Sequence, residues 1–166
     1  GNGIYKSEDG GSTWNHLGLD DIQQVGRIIV HPTKPMEVFV AGLGHPYGAN
    51  PERGVFKSQD GGKTWKKVLF INENTGAIQV EYNPANPNIL FASLWEHREG
   101  PWENGNFSGS HSGLFKSVDG GETWKKLIDG LPKAFGKSAI SVSRANSNRV
   151  FANIEADGDK AGVYRS

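Results

Sequence analysis

One five-residue pattern occurs four times in the chain. It reads Gly3-Ile-Tyr-Lys-Ser7, Gly54-Val-Phe-Lys-Ser58, Gly113-Leu-Phe-Lys-Ser117 and Gly162-Val-Tyr-Arg-Ser166. The copies step by 51, 59 and 49 residues. Self-similarity at such a period constrains the fold strongly, because each period must be one supersecondary unit that buries its apolar face against its neighbours. The first three copies continue alike, as Ser7-Glu-Asp9-Gly-Gly11-Ser-Thr13-Trp14, Ser58-Gln-Asp60-Gly-Gly62-Lys-Thr64-Trp65 and Ser117-Val-Asp119-Gly-Gly121-Glu-Thr123-Trp124.

A second repeat lies between these. Segment 28–39 aligns without gaps on 80–91 and on 140–151, each an apolar run, a turn rich in Pro or Asn, and another apolar run. That is a hairpin signature. Each full period then holds four strands. Strand A is expected near 27–31, 77–82 and 138–143, and strand B at 37–42, 89–94 and 149–154. Strand C is expected at 54–58, 113–117 and 162–166, and strand D at 64–69 and 123–128. Four strands per period of roughly 50 residues, with 23 glycines to turn them, predict an all-β fold of propeller blades.

The expected organisation is a single partial β-propeller over 1–166. Residues 3–17 are strands C and D of a first blade, 25–69 the second blade, 76–128 the third, and 136–166 strands A, B and C of a fourth. Those 13 strands make about three and a quarter blades, fewer than the four to eight of typical propellers. The expected partners are therefore the remaining blades of the same propeller or other copies of the chain.

Ser-x-Asp-x-Gly-x-Thr-Trp is the Asp box, or BNR repeat, and the sequence resembles the Asp-box propellers. These include sialidases, xyloglucanases, a photosystem assembly factor and the sortilin-type receptors. The pattern is most similar to the bacterial sortilin-type proteins, often labelled BNR-repeat glycosyl hydrolases. The resemblance implies an extracellular or periplasmic setting, and Asp boxes at the periphery, away from the ligand face. A sialidase would also bring an arginine triad and a Tyr–Glu nucleophile pair. The six scattered arginines of this chain offer no match to that set.

The box has its own physical logic. Asp-Gly-Gly is a tight-turn sequence in which the carboxylate accepts from nearby backbone N–H groups. The Ser and Thr hydroxyls close the same turn, and the Trp ring packs on the blade. A catalytic acid or a calcium ligand is the functional alternative. Repetition in every blade favours a structural role for Ser7, Asp9, Gly11, Thr13, Trp14, Ser58, Asp60, Gly62, Thr64, Trp65, Ser117, Asp119, Gly121, Thr123 and Trp124.

Function is expected on the opposite face. In an up-and-down blade the A–B and C–D turns share one face, and the B–C and D–A connections share the other. The B–C connections at 43–53, 95–112 and 155–161 differ in length, at 11, 18 and 7 residues. Variable loops on a rigid scaffold are where binding sites concentrate. The two tryptophans outside the boxes, Trp95 and Trp102, both fall in the longest loop, with Glu96, His97, Arg98, Glu99, Glu103 and His111. The neighbouring loop adds His45, Tyr47 and Arg53. Aromatic rings beside carboxylates and an arginine suit a glycan or peptide. The alternative is that Trp95 and Trp102 serve blade packing.

Hydrolysis needs two carboxylates flanking one bond. Glu81, Glu96, Glu99, Glu103 and Glu155 are available, and spacing fixes no pair among them. A glycoside hydrolase with its catalytic carboxylates at the propeller centre or in other blades is the second functional reading. Asp157-Gly158-Asp159 matches a corner of a calcium loop but reads better as a plain turn. His45, His97 and His111 share one face without a zinc spacing. No cofactor or metal is expected. Zero net charge gives no reason to expect nucleic acid, and no apolar run is long enough for membrane insertion as a helix.

Overall fold

A computed structural model describes residues 1–100 and 105–166 of the protein. The fold is all-β, a partial propeller of antiparallel sheets. Strands β1 (Tyr5–Lys6) and β2 (Asn15–His16) form a two-stranded sheet. The second sheet runs in order through β3 (Gln24–Val30), β4 (Val38–Gly44), β5 (Gly54–Ser58) and β6 (Lys66–Leu69). The third does the same through β7 (Thr75–Asn83), β8 (Asn86–Glu96), β9 (Gly113–Ser117) and β10 (Lys125–Leu127). The last sheet holds β11 (Ser138–Val142), β12 (Val150–Ile154) and β13 (Gly162–Arg165). One 3-10 turn, Gly158–Lys160, breaks the connection before β13.

The sequence repeat is a repeat of register. Phe39 stands opposite Lys57 in the second sheet, and Phe91 stands opposite Lys116 in the third. Sheets stack face to face, so the middle sheets are covered on both sides. Their central strands accordingly read as apolar runs rather than alternations. Phe39, Val40 and Ala41 of β4 are buried in succession, as are Leu90, Phe91 and Ala92 of β8. Strands β11 and β12 end in strict alternation of buried and exposed residues, because only one face of their sheet is covered.

Three apolar cores lie between successive sheets. Ile4, Ile22, Val40 and Phe56 fill the first, with Trp65 packed against them. Phe39, Val80, Leu90 and Phe115 anchor the second, with Trp124 against it. Phe91, Leu114, Ile140 and Ile154 anchor the third. Polar side chains also stitch the third sheet to the fourth. The Gln79 amide donates to the Ile140 carbonyl at 2.7 Å and accepts from the Ile140 N–H at 2.9 Å. Glu81, on the inner strand, accepts from the Val142 N–H at 3.3 Å, and burial raises its pKa.

Several strand boundaries differ from the expectation: β3 begins at Gln24, β4 runs to Gly44 and β7 begins at Thr75. Outer strands begin at Lys66 and Lys125 rather than at 64 and 123, because Thr64-Trp65 and Thr123-Trp124 stay within the box turns. Strand β8 runs on through Trp95 and Glu96, which pair with Gly76 and Thr75. These two residues therefore belong to a strand end and not to the loop.

Candidate functional site

Both faces are defined by hydrogen bonds. On the turn face, the Gly61 N–H donates to the Met36 carbonyl at 2.8 Å and the Gly120 N–H to the Asn88 carbonyl at 2.9 Å. The second and third Asp boxes are thereby tied to the A–B turns of their own sheets. On the other face, the Glu99 N–H donates to the Pro46 carbonyl at 2.8 Å, joining the B–C loops of neighbouring sheets. The Gly109 N–H reaches the Phe135 carbonyl at 3.2 Å, and the Gly136 N–H reaches the Glu155 carbonyl at 2.7 Å.

The three boxes share one bond set. In the second box, Ser58 Oγ donates to Asp60 Oδ1 at 2.8 Å while accepting from the Gly62 N–H at 2.8 Å. Asp60 Oδ1 accepts from the Thr64 N–H at 2.9 Å, and Oδ2 accepts from Thr64 Oγ1 at 2.6 Å. Asp9 and Asp119 are held by the same four bonds. The threonine hydroxyl, the threonine N–H and the serine hydroxyl hold all three carboxyls well below the usual range. Every oxygen is committed to the turn, which leaves these carboxylates poor candidates for proton transfer or metal binding.

The loop face is built differently. Trp95, at the end of β8, stacks on His97 with ring centroids 4.0 Å apart. Its indole Nε1–H donates to the Phe107 carbonyl at 2.8 Å, and Lys137 Nζ lies 5.9 Å from its ring centroid. Trp95 is thus half-buried and fixed. Beneath it, Arg53 is fully buried and His97 only 2 % exposed. The Arg53 guanidinium donates to the carbonyls of Asn74 at 3.4 Å and His45 at 3.2 Å. Its Nε and His97 Nδ1 find no partner among the described residues. Burial lowers the His97 pKa, and the Arg53 charge adds to the effect. Glu99 Oε1 lies 3.7 Å from the His97 Nε2 and opposes that shift.

The expected residues divide accordingly. Tyr47 (62 % exposed) and Arg98 reach solvent. Arg53 and His97 lie under the surface: the Arg53 guanidinium turns inward to two backbone carbonyls, and the His97 ring lies under Trp95. His45 is half-buried and contributes backbone, its N–H donating to Asn50 Oδ1 at 3.4 Å. Glu96 Oε2 accepts from the His111 N–H at 3.0 Å and lies 3.2 Å from its Nδ1. Trp102 and Glu103 fall outside the described residues. Two further residues join the surface, exposed Phe107 and Lys137 over Trp95. An aromatic residue in the longest loop was the available signal for Phe107; nothing local marks Lys137. Among the described residues, no three His, Asp or Glu side chains gather closely enough to hold a metal ion.

A family model described as sortilin, neurotensin receptor 3, matches residues 2–165. The chain belongs to the Sortilin–Vps10 family. No curated protein sequence matches it. Its fold is similar to that of an ancestral GH74 enzyme, at TM-score 0.70 and 21% identity over 99% of this chain and 20% of that one. The GH74 xyloglucanase from Xanthomonas campestris is similar at TM-score 0.71 and 14% identity, over 99% of this chain and 25% of that one. A GH74 enzyme from Niastella koreensis is similar at TM-score 0.51 and 18% identity, over 99% and 33%. This sortilin-family chain thus spans between a fifth and a third of the length of those enzymes. The likeness establishes a shared propeller fold.

Proposed function

We propose that this sortilin-family propeller segment is a binding scaffold that engages a glycan or an extended peptide on its B–C loop face, in an extracellular or periplasmic setting. The supporting observation is the pairing of two loops from neighbouring sheets through the Glu99 N–H and Pro46 carbonyl. That bond sets Tyr47 beside Glu99, whose neighbour Arg98 is exposed. The stack of Trp95 on buried His97 stiffens the strand end below, and Phe107 presents a ring that is 51 % exposed. Exposed rings for stacking, with an arginine and carboxylates for orientation, are what sugars and peptides require.

The test is direct binding of xyloglucan oligosaccharides and of a library of extended peptides to the protein. Tyr47→Ala and Phe107→Ala should each weaken binding about tenfold, the loss of roughly 1.4 kcal/mol of contact, with Tm unchanged. Full affinity in both variants would remove the loop face from consideration. The second reading, a part of a glycoside hydrolase, is favoured by the structural match to a xyloglucanase. Release of reducing ends from xyloglucan by the protein would establish that reading. Binding without turnover would support the scaffold.

A further inference from the structure

The groove between the third and fourth sheets has two filled counterparts in the same molecule, and they show what fits it. In the filled seat between the second and third sheets, the third Asp box lies on the second sheet. A Cβ on its Gly121 would come 2.5 Å from Phe39 Cε1, so the ring packs directly against the glycine. Lys57 Nζ donates to the Gly120 carbonyl at 2.8 Å and to Glu122 Oε1 at 2.7 Å. Lys66 Nζ donates to Glu122 Oε2 at 2.9 Å. Trp124 closes the apolar core. The first seat is also filled by a box: Leu17 lies against Gly62 and Trp65 closes the core, with Lys63 standing where Glu122 stands in the other.

The repeat places equivalents of the receiving residues Phe39, Lys57 and Lys66 in the third seat. Phe91 stands for Phe39, Lys116 for Lys57 and Lys125 for Lys66. Lys116 Nζ already lies 5.6 Å from the Phe91 ring centroid, as Lys57 lies 5.4 Å from Phe39. Asn148 stands for Met36 and Asn88, whose carbonyls receive the first glycine N–H of a box. Phe91, Lys116, Lys125 and Asn148 all line one open groove of about 660 Å³. No box tryptophan closes its core. Neither Lys116 nor Lys125 has a carboxylate partner among the described residues. Four basic side chains line the groove against one acidic one, Asp129.

We propose that this groove is the seat of a further Asp-box turn, entering beside Ser166 in register with β13 and carrying an acidic residue directly after its Gly-Gly pair. The acid meets Lys116 and Lys125 as Glu122 meets Lys57 and Lys66. The second glycine lies on Phe91, and the tryptophan closes the third core. The first hairpin of a second copy is the poorer occupant. It brings its own third-position strand, β1, where β13 already stands, and its box has Ser12 in place of the acid.

The test extends the chain past Ser166 by a copy of residues 118–128. The added tryptophan should emit at shorter wavelength than exposed Trp14, Tm should rise by several degrees, and amine labelling of Lys116 should slow at least threefold. Lysine in place of the added glutamate should remove most of that gain. Lys116→Ala should reduce it while leaving the unextended chain's Tm unchanged. A water-like emission with unchanged Tm would overturn the proposal. So would self-association of the unextended chain that Trp14→Ala abolishes, since that would put a second copy in the groove.

Discussion

The turn face and the loop face of this propeller solve the same problem, ending a strand pair, by opposite means. Each Asp box closes with bonds spanning two to four residues, repeated in three sheets. Among the described residues, the loop face has no repeated device. Its ties run between sheets and over long separations, and at its base lies a fully buried arginine held by two carbonyls. A self-contained turn leaves its surroundings free to be the same in every blade. Loops that lean on one another can differ from blade to blade and make one particular surface.

The largest expected effect breaks the loop face at Arg53. Its side chain is 0 % exposed and bridges Asn74 and His45. Arg53→Ala empties that volume and strands two carbonyls, at a cost of about 3 kcal/mol. Arg53→Met keeps the bulk and deletes a buried cation that has no carboxylate beside it among the described residues. It should return to within about 1.5 kcal/mol of the parent in urea denaturation. A methionine variant as unstable as the alanine one would mean that the two carbonyl bonds, rather than packing, hold the loops.

A smaller effect separates the boxes from what they pack on. Trp14 is 61 % exposed, and its indole bonds only to Gly11 of its own box among the described residues. Trp65 is half-buried, and its Nε1–H crosses to the Leu17 carbonyl at 2.7 Å. Trp65→Ala should cost about 2 kcal/mol, and Trp14→Ala less than about 0.5 kcal/mol. Equal losses by thermal unfolding would show that the ring serves the turn itself and not the seam between sheets.

What was legible in the sequence follows the same division. The strand order within each sheet and the box geometry are local, and a repeat displays them. Strand β8 outruns its expected end because Gly76 and Thr75 pair with Trp95 and Glu96, a partnership no local pattern carries. Arg53 and His97 look like surface residues by type. Only the convergence of two loops and the strand between them buries both. Lys137 reaches Trp95 from a different connection altogether. Polar residues turned inward by tertiary contact are what a periodicity argument misses.

The smallest effect concerns the boxes alone. Asp60→Asn retains one carbonyl acceptor but weakens the bonds from Thr64 Oγ1 and the Thr64 N–H. It should lower Tm by about 2 °C at neutral pH and leave loop-face binding untouched. The sign of the pH dependence follows from the depressed pKa of Asp60. A carboxyl whose pKa is lower folded than unfolded stabilises the fold above its unfolded value, about pH 4, and the contribution drains away as the pH falls below it. The Tm difference between parent and Asp60→Asn should therefore be constant from neutral pH to about pH 5 and shrink below about pH 4. A difference that persists undiminished in strong acid would assign the loss to turn geometry rather than to the charge. Loss of binding in the folded variant would erase the distinction between the two faces.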